Sequence, residues 1–195
     1  MLSPTFGIDL YAEYINITQN GEFSARIKHE NKTDNILFGV YKESYQKNSY
    51  SCRLEWRSKT YGNSFQIRLR NEIGVLSNGV YNLKEYGYLN FIEFHFFDKN
   101  TFSSAIRIAQ FNAESYDVSR WAYENNVPGL LTTEVHQGRG QRIFAVCNWK
   151  YSDKVSLHGK ISATFRDDVK QIGTGWDQLP KNRDVRGNLQ CELKL

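Results

Sequence analysis

Short runs of alternating apolar and polar residues recur along this chain, separated by clusters of Gly, Asn, Asp, Ser and Lys. In GEFSARI (21–27) Phe23, Ala25 and Ile27 alternate with Glu22, Ser24 and Arg26. GKISATF (159–165) repeats the pattern, and RGNLQCEL (186–193) closes the chain with a looser copy. A period of two places successive side chains on opposite faces of a strand. Further strands are expected at 36–41, 52–58, 64–70, 78–83, 89–97, 104–111, 130–136, 142–149 and 155–165. Turn residues between them, such as KTYGN, DKNTF and QGRGQ, read as hairpin tips. The spacing predicts one all-β domain over residues 1–195, an antiparallel β-sandwich, with a β-barrel as the alternative. Nothing between the two Gly-led heptads repeats with a matching period, so they are two strands meeting one demand rather than a duplication.

Two stretches break the alternation. In 113–126, Val118, Trp121 and Ala122 stand at i, i+3 and i+4, and Ser115 or Asp117 can cap a start. This predicts one short helix near 115–126. Residues 167–186 show no periodicity and form the longest expected loop, with Trp176 beside the flexible Gly173 and Gly175.

Composition supports this picture. Aromatic residues make up 14% of the chain and there is one Met, which suits pleated surfaces better than helices. The net charge of +4 comes from interspersed signs, so nucleic acid is not an expected partner. No run of 18 apolar residues exists, so no transmembrane helix is expected. MLSPTFGIDLYAEY lacks a basic start followed by an apolar stretch, so no secretion signal is read there. Cys52, Cys147 and Cys191 are far apart and lie in expected strands, which reads as buried free thiols, with a Cys147–Cys191 bridge as the alternative.

Candidate chemistry is confined to surfaces. If Arg57 faces Gln66 in the 52–70 hairpin, then Glu55 faces Arg68 and Arg53 faces Arg70. One side of that hairpin then carries Arg53, Arg57, Arg68 and Arg70 against Glu55, while Leu54 and Trp56 point to the core. Like charges opposite each other are unfavourable, so the stripe calls for carboxylates or an external anion: a phosphate, a sulfated glycan or an acidic protein. Tyr41, Tyr45, Tyr50 and Tyr61 in a polar setting, with Trp176, form a second candidate surface suited to protein or glycan recognition. The four histidines are scattered, and a metal or ligand site would need convergence, for example of His95 with His136. No catalytic, cofactor or metal motif is present, and no catalytic residues are assigned.

Gly79-Val80-Tyr81-Asn82-Leu83 and Gly159 to Phe165, with GEFSARI and the closing Gly-led strand, resemble elements of small cell-envelope β-sandwich domains of Bacteroidota, often lipoproteins. The likeness touches about a third of the chain. It implies an extracytoplasmic setting and a binding or structural role without catalytic residues. The expected function is a non-enzymatic binding or assembly module. The alternatives are a virion, phage or filament subunit that self-associates through edge strands such as LQCELKL, and a ligand-binding barrel or enzyme.

Overall fold

The structure is a computed structural model that describes residues 7–38, 41–58, 64–78, 83–98, 101–172 and 178–194. It is all-β and antiparallel, with eleven strands among the described residues. In chain order they are β1 (Gly7–Ile17), β2 (Gly21–Phe38), β3 (Tyr41–Ser58), β4 (Phe65–Asn78), β5 (Leu83–Asp98), β6 (Phe102–Ala113), β7 (Arg120–Glu124), β8 (Thr132–His136), β9 (Gly138–Lys150), β10 (Val155–Arg166) and β11 (Arg183–Leu193). Nine of them form one sheet in the order β1-β2-β3-β4-β5-β6-β9-β10-β11, and β7 and β8 form a second, two-stranded layer. The large sheet is a meander in which each strand pairs with the next, interrupted once between β6 and β9. The edges do not meet, so the described sheet is not a closed barrel.

The two Gly-led heptads are β2 and β10, each second from an edge of the same sheet. The closing strand, β11, is itself an edge. Several strands run through positions that read as turns: HENKTDN lies within β2 and the Tyr41–Tyr50 stretch within β3. Both stretches are carried as strand by continuous backbone pairing of β2 with β3.

The expected helix near 115–126 is not formed. Trp121 and Ala122 belong to β7, where alternate residues Ala122 and Glu124 are buried and Trp121 and Tyr123 exposed. Pairing with Thr132–His136 overrides a weak helical spacing in a segment rich in aromatic residues. QGRGQ is not a hairpin tip either. Gly138, at φ 71°, stands where the chain leaves β8 and enters the large sheet, a conformation that favours glycine.

The core lies between the two layers. Leu89, Phe91, Ala109 and Phe111 of the large sheet pack with Ala122 of β7, and Leu76 and Ala113 pack with Val118. A third buried cluster, Ala105, Phe144 and Val146, sits beside them on the same sheet face.

Candidate functional site

The strand register divides the large sheet into two unlike faces. Directly paired residues share a face, and alternate residues point the opposite way. The face under β7 and β8 carries charged residues on every strand, among them Glu13, Arg26, Arg53, Glu55, Arg68, Arg70, Glu72, Glu93, Arg107, Arg142, Lys160 and Arg186. Buried charges persist only when paired and hydrogen-bonded, and here they form a chain of ion pairs. Glu55 accepts Arg68 at 2.9 Å and 3.0 Å and Arg70 at 2.7 Å, with Arg57 at 2.7 Å. Arg53 donates to Glu72 at 2.7 Å. Glu93 takes both His95 and Arg107, and Arg107 also donates to the Tyr123 carbonyl at 2.8 Å. On the far side, Glu124 of β7 accepts Arg142 at 2.7 Å and 2.9 Å and Lys160 at 3.0 Å. The hairpin is therefore held to the sheet by buried charge as well as by its apolar residues.

These surroundings move protonation equilibria. Burial alone would raise the Glu55 carboxyl, but the Arg68 and Arg70 guanidiniums outweigh it and bring it down to about 2. Burial brings the Arg70 guanidinium down to about 10, against the pull of Glu55. Glu124 also sits low, because Arg142 and Lys160 overcome its desolvation. His136 is 2% exposed, packs on the Phe111 ring at 5.1 Å, and is brought by burial to about 4, so it is neutral at pH 7. Phe91 and Phe144 are the floor of this layer: the guanidiniums of Arg68, Arg70 and Arg107 lie over Phe91 at 5.4, 5.1 and 4.1 Å.

Small residues decide where the 114–120 segment lies. Gly74 and Gly87 are paired across β4 and β5, with Ser51 and Ala113 in the same row. A Cβ at Gly87 would stand 2.1 Å from the Val118 carbonyl oxygen, and one at Gly74 would stand 1.2 Å from Arg120 Nη2. The row is thus a trough that lets the inserted segment approach the sheet backbone.

The opposite face is apolar and open. Ile8, Leu10, Ile27, Leu54, Ile106, Ile161 and Leu189 lie on it, with Leu54 42%, Ile161 59% and Leu189 88% exposed. Among the residues whose side chains are described, its charged ones, Lys84, Asp98, Arg139 and Arg183, stand at strand ends. Asn71, Asn90, Gln110 and Gln141 form an amide row across β4, β5, β6 and β9. Beyond that row the apolar residues of β9 run from Ile143 to Trp149, where Trp149 meets Tyr151 edge-on at 5.4 Å.

The apolar run shifts along the strands from one edge of the sheet to the other. On β1 it spans Ile8 to Tyr14, with its midpoint in register, through β2, β3 and β4, with Gly87 of β5. On β11 it spans Val185 to Leu193, with its midpoint, Leu189, in register with Phe96 of β5. The displacement is about nine residues over eight strand-to-strand steps, which at ~3.4 Å per residue and ~4.8 Å between strands gives a tilt of about 40°. The apolar residues therefore make a straight band that the strands cross obliquely.

The sequence-derived candidates are distributed as follows. Arg53, Arg57, Arg68 and Arg70 do share one face, but the register is two residues from the expected one: Arg53 faces Glu72, Glu55 faces Arg70 and Arg57 faces Arg68. A two-residue slip preserves the face, so alternation cannot detect it. Leu54 and Trp56 point to the open face rather than to the core, because the second layer sits on the charged side. Tyr50 is 52% exposed and stacks on His29 at 4.5 Å. Tyr41 and Tyr45 are in β3, but their side chains lie outside the described residues, as do Tyr61, Trp176 and Gly79 to Asn82. His95 and His136 do not converge; one pairs with Glu93 and the other lies on Phe111. The three cysteines are free, as expected, but exposed on the apolar face rather than buried. The residues that sequence reasoning missed are Glu72, Arg120, Glu124 and Arg142. Their signal was the run of charges at every second position of β4 and the charged positions facing inward from β7.

No helix among the described residues is long and apolar enough to cross a membrane. Compared with known proteins, the chain matches no family model and no curated protein.

Proposed function

We propose that the large sheet is a wall of a membrane-spanning β-barrel, with its apolar face against lipid and its charged face lining the interior, where β7 and β8 form a plug. The oblique apolar band carries this reading. Strands of transmembrane barrels tilt by about 35–45°, so a band of constant height must move in register from strand to strand. A band of about 40° across nine strands fits that demand. A face built to cover a second protein layer has no reason to keep a fixed height.

Other features support the same reading. The nine strands are 11 to 18 residues long, and crossing a bilayer takes about 9–11. They follow one another as neighbours, apart from the β7–β8 insertion, as in such barrels. Aromatic residues Trp149, Tyr151 and Phe102 gather at one border of the band. Closing the wall requires strands along the outer edges of β1 and β11. The reading keeps the envelope setting implied by the resemblance and makes the part played structural rather than enzymatic.

The test uses single-tryptophan variants of the chain in vesicles containing lipids brominated along the acyl chain. Trp149, on the apolar face, should be strongly quenched. Trp121, on the outer side of β7, should not. A chain that stays a monomer or dimer in buffer without detergent, with Trp149 unquenched, would overturn the proposal and favour two copies packed face to face.

A further inference from the structure

The charged face also holds a cleft that the ion-pair chain leaves under-compensated. It has a volume of ≈ 190 Å³ and lies between β2, β3 and the start of β7. Arg26, Lys28, Arg53 and Arg120 line it together with Ser51 and Ser119, and Glu30, Glu72 and Trp121 complete the wall. Two of the cations are matched: Arg26 by Glu13 at 2.9 Å, and Lys28 by Glu30 at 3.1 Å and Asp9 at 3.4 Å. Arg53 and Arg120 share a single carboxylate. Both depend on Glu72, at 2.7 Å and 3.9 Å, and Arg70 approaches the same carboxylate at 4.0 Å.

Arg120 is the informative residue. Its guanidinium is seated over Gly74, where no other residue would leave it room. Its Nε is buried and finds no hydrogen-bond partner among the described residues, and the same holds for Arg26 Nε. Burial disfavours its charge most, Glu72 and Glu30 favour it, and the neighbouring Arg53 works against it, so that its pKa is lowered on balance. A buried guanidinium without a full complement of acceptors is a cost that a ligand carrying them would relieve.

We propose that this cleft binds a small oxyanion of the phosphate class, gripped by Arg120 and Arg53 with Ser51 as a further donor. Guanidinium forks match the oxygens of such an anion in pairs, and the volume, several times the ≈ 30 Å³ that liquid water allots to one molecule, admits a phosphate group but not a large polyanion. The site is on the face away from the apolar band, so it stands whatever covers that band.

The probes are inorganic phosphate and glycerol 3-phosphate, titrated at low ionic strength into the single-Trp121 chain, with chloride at equal ionic strength as control. Trp121 lies at the rim of the cleft and reports occupancy by emission. Saturable binding is expected, weakened at least tenfold in Arg120→Gln and in Arg53→Gln. Arg57→Gln, on the same face but outside the cleft, should leave it unchanged. Thermal melts identify any variant that fails to fold, and Arg120→Lys, which keeps the charge but loses the fork, should fold and bind weakly. Tight binding of glycerol 3-phosphate with little for inorganic phosphate would identify an esterified phosphate as the ligand within the proposed class. Absence of saturation with either probe, or equal loss in Arg57→Gln, would overturn the assignment. Trp149 quenching is read independently, so failure here is distinguishable from failure of the membrane reading.

Discussion

The sharpest consequence of the two-faced sheet concerns Ile106→Arg. Ile106 is near the middle of the apolar run of β6, beside Phe94 and Ala145 on the neighbouring strands, and is 40% exposed. If water covers that face, an arginine there keeps its head solvated and its stem on the sheet, and the change costs about 1 kcal/mol or less. If lipid covers it, a cation near the bilayer midplane costs ~2–4 kcal/mol. At ~1.4 kcal/mol per decade, that is a loss of about 30- to 700-fold in the folding equilibrium. Asn112→Arg is the internal control. It lies on the same strand and face, past the apolar run and near the end of β6, and should cost only ~0–1 kcal/mol at a membrane border. The assay is denaturant-induced unfolding from lipid vesicles, followed by tryptophan emission. If the two variants are equally stable, the band does not face lipid and the reasoning fails.

Glu124→Gln leaves Lys160 buried against an uncharged amide and Arg142 with Glu134 alone, and should cost about 3–5 kcal/mol in the same unfolding assay, far more than Asp153→Asn on the exposed turn. His136 takes up a proton at about 4 when folded and near 6.5 when unfolded, so the unfolded chain binds the proton first. Stability should fall as pH drops from about 6.5 toward 4, and His136→Phe should flatten that limb of a stability–pH curve; an unchanged slope would refute the assignment. Gly87→Ala drives a methyl into the Val118 carbonyl and should cost about 1–3 kcal/mol, seen as faster proteolysis around 114–130. Gly159→Ala meets nothing closer than 3.8 Å and should leave the cleavage rate unchanged.

How much of this was legible in the residues is clearest on β3 and β4. Alternation sorted Arg53, Glu55, Arg57, Arg68 and Arg70 onto one face and Leu54, Trp56, Ile67 and Leu69 onto the other. It could not say which face is covered. That depends on where residues 114–136 fold back, and they settle on the charged side because Gly74 and Gly87 open a trough there and Glu124 finds Arg142 and Lys160. The strands are longer than alternation shows because a stretch such as HENKTDN, polar on both faces, is held extended by its pairing with β3 and not by an apolar face. The helix expected at 115–126 failed because three residues at helical spacing are outweighed by the cross-strand pairing of Arg120–Glu124 with Thr132–His136. The oblique band was not legible at all before the register was known, since no single strand contains it.

The interruption of the meander between β6 and β9 sets the order of assembly. Every other neighbour pair in the sheet joins segments consecutive in sequence, and such local zippering is fast. Joining β6 to β9 means closing a loop that contains β7 and β8, at an entropic cost about 1.5 kcal/mol above that of a tight hairpin. The two halves of the sheet, β1 to β6 and β9 to β11, can therefore form as separate units and wait on this one seam. Gly138 and Gly140, at the entry to β9, stand at that seam. Substitutions there should slow folding, whereas those at the outer hairpins should mainly quicken unfolding.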